Sequence, residues 1–292
     1  MTIAAGLIIA RFVHFLALSI LLGAAVFPFY GVAKSDEDMY RRLTWLRSLL
    51  IGAAVSSWIS GLIWFAFTLP GMEFREVWLF RLALATGLIA LTLCKRAAGR
   101  RLEAIVLGAL VLLASIALTG NSGSNHGPLA FQHRLSDAIH LAASGVWIGA
   151  LVVFSRLVTM SLRQDREEDL QMVHDALARF AGVGTLTVGI LTLSGMTNPG
   201  LFTSSLDSAY GQLLMAKLGV FGAMLALAGA NRFFLTPKLL ATLSGNGQLK
   251  TAIAALRASI LIETALGIIV LAMVGWLGVL PPPSFEPPRR FN

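Results

Sequence analysis

Long apolar runs separated by short polar stretches make up almost the whole chain. A helix needs roughly 20 apolar residues to cross the hydrocarbon layer of a bilayer. Eight runs reach or approach that length: about Arg11–Gly31, Leu49–Leu69, Val77–Leu93, Leu102–Thr119, Asp137–Val158, Leu177–Met196, Gly211–Asn231 and Ser259–Leu280. No polar stretch between them is long enough to form a soluble domain of its own. The pattern predicts an all-α polytopic membrane protein of eight transmembrane helices, with residues 1–292 as a single membrane domain. The first run has no basic residue before Arg11 and is too long for a cleaved signal, so it reads as a retained helix.

The runs repeat. Phe12-Val13-His14 is followed nine residues after the histidine by Gly23-Ala24, and Ala138-Ile139-His140 is followed at the same distance by Gly149-Ala150. Ser60-Gly61 in the second run resembles Ser194-Gly195 in the sixth, Arg81-Leu82 resembles Lys217-Leu218, and Leu102-Glu103-Ala104 resembles Ile262-Glu263-Thr264. Four spans therefore correspond to four, dividing the chain into halves 1–120 and 121–292. An even number of crossings gives both copies one orientation, so the expected arrangement is a parallel 4+4 repeat about an axis along the membrane normal.

Composition agrees with the pattern: 56% of residues are hydrophobic and 13% charged, and the mean hydropathy is +0.76. The net charge of +8 does not point to nucleic acid, because it is distributed by loop. Lys34, Arg41, Arg42 and Arg47 lie in or beside the first loop, and Lys95, Arg96, Arg100 and Arg101 in the third. Arg156, Arg163, Arg166 and Arg179 belong to the fifth, and Arg232, Lys238, Lys250 and Arg257 to the seventh. Only Arg75 and Arg134 lie in the alternate loops. By the positive-inside rule the odd loops are cytoplasmic and both termini periplasmic. The lone Cys94 has no partner for a disulfide and reads as packing.

Ionisable or ligating side chains inside a bilayer are costly, which makes His14 and His140 functional candidates. Their registered recurrence predicts one shared site. The bland alternative is that each bonds a neighbouring helix. His133, Asp137 and His140 are spaced i, i+4, i+7 and fall on one face if the helix begins before His133. His126 lies in the Gly- and Asn-rich stretch ahead of them, and Met196 and Met215 fall towards the same side. Imidazole suits copper in either oxidation state, and thioether favours Cu(I). Arg11, Arg81 and Lys217 are at similar depth; they either snorkel and pair with carboxylates or neutralise an anionic group. Arg11 and Asp137 occupy equivalent places and are expected to form an ion pair. His174, near Asp165, Glu167, Glu168 and Asp169, reads as a solvated loop residue.

The segment Asp137-Ala-Ile-His140-Leu-Ala-Ala-Ser-Gly-Val-Trp147-Ile-Gly149-Ala, the Arg11-Phe-Val-His14 opening, Ser194-Gly195-Met-Thr-Asn198, and Tyr210-Gly211-Gln-Leu-Leu-Met-Ala-Lys217-Leu followed by Asn231-Arg232 resemble the copper resistance protein D family. The resemblance covers nearly the whole chain. It implies an eight-helix inner-membrane protein of copper homeostasis that moves copper inward and works with a small periplasmic copper-binding protein of the CopC type. Many members place a histidine where this chain has Gly120-Asn121, so His126 is its candidate substitute. The reading is a copper permease and not an enzyme. Cu(I) or Cu(II) is captured by His126 or His133, passed to a His14/His140 pair assisted by Asp137, Met196 and Met215, and led between the halves. The chain contains neither a nucleotide-binding G-x-x-x-x-G-K-S/T loop nor a Cys-x-x-Cys pair. Two alternatives are a membrane redox protein holding haem b between paired axial histidines and a copper sensor or scaffold that transports nothing.

Overall fold

The computed structural model describes residues 2–31, 44–68, 75–94, 98–119, 130–164, 167–197, 207–243 and 249–281. All regular structure among them is helical. The helices are α1 (Thr2–Gly31), α2 (Thr44–Thr68), α3 (Arg75–Leu93), α4 (Ala98–Ile116), α5 (Ala130–Gln164), α6 (Glu167–Met196), α7 (Ala209–Ala230), a π turn (Asn231–Leu235), α8 (Thr236–Leu243) and α9 (Leu249–Leu277). Seven helices among the described residues are long and apolar enough to cross a membrane, α7 being continued by the π turn and α8. The remaining one, α4, opens on Arg100, Arg101 and Glu103 and is apolar from Ala104 onward.

The helices outrun the apolar stretches that predict them. α5 begins at Ala130, seven residues before Asp137, so His133, Asp137 and His140 do lie on one helix. α6 begins at Glu167, and His174, expected in a loop, lies in its polar first turns with Nδ1 3.1 Å from Asp175 Oδ1. Arg47 and Arg156, expected in or beside loops, are also helical. Arg47 donates to the Leu93 carbonyl at 3.0 Å, and Arg156 lies 5.6 Å from the Trp45 ring. Polarity ends a membrane span without ending the helix, because the i→i+4 ladder continues as readily in water.

The core is built around α1 and α5. Leu18, Leu21, Leu22, Ala24 and Ala25 of α1 and Ala150, Val153 and Phe154 of α5 are almost wholly enclosed. The two helices touch backbone to backbone at Gly23 and Gly149, where a Cβ on either would overlap the opposite main chain. Close approach through small residues is how helices associate where lipid tails remove the usual hydrophobic drive. One turn earlier Gly145 faces Leu22 and Ser19. Gly23 and Gly149, and Ser19 and Gly145, are separated by the same sequence offset as His14 and His140, so positions paired by that offset meet each other. The outward faces carry Ile59, Leu107, Leu186 and Leu193, as a lipid-facing surface requires.

The end of α7 departs from α geometry. Ser208 caps its start, accepting from the Gly211 N–H at 3.0 Å, but from Asn231 the ladder widens and Thr236 N–H bonds the Asn231 carbonyl. Pro237 follows immediately and has no N–H to give. Local rearrangement of the ladder beside a proline is the expected response, and single π turns recur at functional sites.

Candidate functional site

Each histidine is held by the serine-glycine pair of the next helix in its own half. His14 Nδ1 lies 3.0 Å from the Ser57 carbonyl oxygen and 3.2 Å from Ser60 Oγ. A carbonyl only accepts, so Nδ1 carries the proton. His140 Nδ1 lies 2.9 Å from Ser194 Oγ. The single hydroxyl hydrogen of Ser194 goes to the Ile190 carbonyl at 2.6 Å, so here too Nδ1 is the donor. Gly61 and Gly195 leave room for the rings: a Cβ there would come to 3.1 Å from His14 Cε1 and 3.8 Å from His140 Cε1. In both copies the bond at Nδ1 fixes the tautomer and leaves the Nε2 lone pair as the available ligand.

Around His14 that lone pair is shut in. The residue is 3% exposed and its Nε2 is buried without a partner. Trp64 meets the imidazole edge-on at 5.6 Å and Trp78 packs on Trp64 at 5.1 Å. Arg11 lies over Trp64 at 4.6 Å and Arg81 over Trp78 at 4.5 Å. Arg81 Nε donates to Ser115 Oγ at 2.9 Å, and Nη2 to Thr119 Oγ1 at 2.7 Å and to the Ser115 carbonyl. The expected pair of Arg11 with Asp137 is absent among the described residues. The Arg11 guanidinium instead takes the face of Trp64 and runs over Gly278, where a Cβ would collide with it. An indole face with a cleared path to it is a partner that sequence alignment does not supply.

Around His140 the same space is open. A cavity of about 220 Å³ is lined by Asp137, His140, Ser194, Met196 and Lys217 and reaches down to Trp147, Leu214 and Met224. Among the described residues the aromatic plug of the first half has no counterpart here. Trp78 stands three residues before Arg81, and Leu214 stands three residues before Lys217. The position matching Trp64 is Asn198, outside the described residues. Asp137 lies within electrostatic reach of Lys217 and Tyr210.

The predicted ligands are therefore distributed unevenly. His140, Asp137 and Met196 share the cavity wall. His14 is enclosed in the first half, and the two rings are anchored to different helices. His133 is partly buried on α5 and is not among the residues lining the cavity. Met215 is 38% exposed on α7 and does not line it either. His126 lies outside the described residues. No group of three or more His, Cys, Asp or Glu side chains placed to hold a metal occurs among the described residues. What the cavity offers is one imidazole, one carboxylate and two thioethers, Met196 near His140 and Met224 deeper in, beside an ammonium group. Such mixed N, O and S donors suit a borderline or soft ion held loosely enough to leave. Ser194 and Trp147 were not among the expected site residues, and Glu263, expected at the inner end of its span beside Arg257 as a possible cation exit, stands midway along α9. The paired Ser-Gly repeat, in step with the paired histidines, was the signal for the first.

Family models for copper resistance protein D match residues 174–277, and the N-terminal domain of copper resistance protein D-like proteins matches residues 1–74. The chain is 31% identical to copper resistance protein D of Pseudomonas syringae pv. tomato, over 94% of its own length and 96% of that protein. It is 29% identical to inner membrane protein YebZ of Escherichia coli (strain K12), over 78% of this chain and 84% of the relative. Copper transport protein CutJ of Bacillus subtilis (strain 168) is 32% identical over 54% of the chain, a match covering 27% of that longer protein. No solved structure matches the chain.

Proposed function

The chain belongs to the copper resistance protein D family, and from that membership we propose that it carries copper across the inner membrane, taking the ion at the cavity beside His140. Relatives named for copper resistance, copper transport and the inner membrane support the cargo and the location. The observation that carries the site is the Ser194 bond. It holds His140 with its Nε2 lone pair free in a cavity that also contains Asp137 and Met196, while the equivalent nitrogen of His14 is sealed behind Trp64.

The halves are read as a parallel 4+4 repeat whose axis passes the Gly23 and Gly149 contact, supported by the meeting of equivalent positions there. Both termini and the cavity mouth face the periplasm, on the loop-charge asymmetry. A small periplasmic copper-binding protein delivers the ion. Within the cavity His140 ligates through Nε2, and Asp137 supplies negative charge. Lys217 competes with the ion for that carboxylate, so entry of copper displaces an internal cation and binding stays weak enough to release. His14 is the packing counterpart, kept free of copper by the nearby Arg11 and Arg81 charges. The protein is a carrier and not a catalyst. A haem held between the two histidines would need both Nε2 atoms free to reach the iron, and His14 Nε2 is enclosed beside Trp64.

The test is copper binding and flux with purified protein in proteoliposomes. His140→Ala is expected to lose binding and flux while inserting normally. His14→Ala is expected to keep both, with some loss of stability. Copper flux at the parental level in His140→Ala sinks the site, and a Soret band in the purified parent sinks the cargo.

A further inference from the structure

Beneath the cavity lies a carboxyl group that copper capture does not use. Glu263 stands midway along α9 and is 2% exposed. Its Oε1 accepts from the Trp147 indole N–H at 3.1 Å, and its Oε2 accepts from Asn231 Nδ2 at 2.9 Å. Trp147 is also part of the cavity wall, so one indole separates His140's cavity from this carboxyl. Asn231 opens the π turn at the end of α7, which places the widened ladder beside Glu263.

No cation balances the group among the described residues. On α9 itself, Arg257 donates to Thr159 at 3.3 Å, and Lys250 is more than three turns away. On the π turn Arg232 bonds the Ala181 carbonyl at 3.1 Å, and on α8 Lys238 lies beyond Pro237. On α5 Arg156 stacks on Trp45, on α7 Lys217 lines the cavity with Asp137, and on α1 Arg11 stacks on Trp64. Removing a carboxylate from water without a counter-charge costs several kcal/mol even with good hydrogen bonds, and a group so placed neutralises itself by taking a proton.

The surroundings fit a group that exists in two protonation states. Trp147 donates and cannot accept, which suits one carboxyl oxygen in either state. Asn231 can both donate and accept hydrogen bonds. With Nδ2 towards Glu263 it serves the carboxylate, and with the amide reversed its Oδ1 accepts from a carboxylic O–H. Its Oδ1 is buried without a partner, as is Ser259 Oγ one helical turn from Glu263 on the same face. Ionisable groups inside the membrane mark substrate and ion pathways, proton relays among them.

Resting on the copper reading above, we propose that Glu263 is a proton-binding site that couples copper movement past Trp147 to proton movement, with Asn231 as its partner in both states. One carboxylate oxygen gains a proton that comes from water at one membrane face and returns to water at the other. No other bond changes. The hard oxygens of this cluster and the softer donors of the cavity divide the two cargoes between two levels of the membrane.

Two measurements test this. The first is the infrared difference between acidic and alkaline buffer for the protein in nanodiscs without any metal. The parent is expected to show a carboxylic C=O band that is absent in Glu263→Gln and displaced in Asn231→Ala. Identical spectra for parent and Glu263→Gln overturn the proposal, as does a band removed by sodium chloride at constant pH, which makes the site one for an alkali cation. The second is internal pH, read by a trapped dye during copper movement in proteoliposomes. The parent is expected to change internal pH, and Glu263→Gln to lose that signal while binding copper as the parent does. Glu263→Gln fits the site because a reversed Asn231 amide can meet its NH2 group. Copper movement without a pH change in the parent, or an undiminished signal in Glu263→Gln, overturns the coupling. Loss of copper binding in Glu263→Gln equal to that in His140→Ala makes Glu263 a ligand and also overturns it. A parent that binds no copper ends the copper reading instead, and the metal-free infrared result still decides the proton site.

Discussion

Ser194 decides more about this molecule than its modest chemistry suggests. Its hydroxyl is tied to the Ile190 carbonyl and offers His140 only a lone pair, so the imidazole proton stays on Nδ1 and away from the cavity. Partners of this kind around metal-binding histidines are worth ~10–100-fold in affinity. Ser194→Ala is therefore expected to weaken copper binding ~10–100-fold by titration, and Ser60→Ala, beside the enclosed His14 whose Nδ1 keeps its bond to the Ser57 carbonyl, to leave it unchanged. Equal effects would mean that the copies share the work. The histidines, the serines and their common offset were all legible in the sequence. Which imidazole opens on a cavity was not. That depends on the volumes of Trp64 and Trp78 in one half and of Leu214 in the other, at positions that carry no ligating chemistry.

At the scale of helices, the Gly23 and Gly149 crossing is the least forgiving contact in the bundle. Gly23→Val places atoms where the α5 main chain already lies, and overpacking of this kind costs about 1–3 kcal/mol or more. The expected outcome is a lowered melting temperature in detergent and reduced yield, while Gly219→Ala, which faces open space on α7, is silent. Similar melting temperatures for the two variants would mean that α1 and α5 can separate without loss. Helix existence was readable from apolar run length, since every expected span has its helix. The ends were not readable, because α5 and α6 continue into polar sequence. The acidic first turn of α6, Glu167, Glu168 and Asp169, has a loop's composition and a helix's hydrogen bonds. The widened turn at Asn231 was also hidden, since only Pro237 marks it and a proline alone does not say how the ladder will yield.

At the scale of the whole molecule, orientation decides which side of the membrane the proposed copper cavity faces. Lys and Arg crowd the odd loops, so a periplasm-active reporter fused after Asn292 is expected to be active and a cytoplasm-active one silent. The opposite result would turn the His140 cavity towards the cytoplasm and overturn capture of copper from the periplasm. Four pairs of short motifs in the sequence are the basis for reading a repeat. Its asymmetry, one half sealed and one half hollow, came only from seeing how the copies pack.

That the hollow half is floored by Trp147 has an optical consequence. The chain has six tryptophans, and Trp147 is the one among the residues lining the cavity. Indole emission is quenched at short range by a bound copper ion, so the protein contains its own reporter of occupancy. Titration with copper should darken a fraction of the emission that disappears in Trp147→Phe, while the Trp64 and Trp78 pair stays bright. Saturable quenching that survives Trp147→Phe would place the ion somewhere other than above that floor.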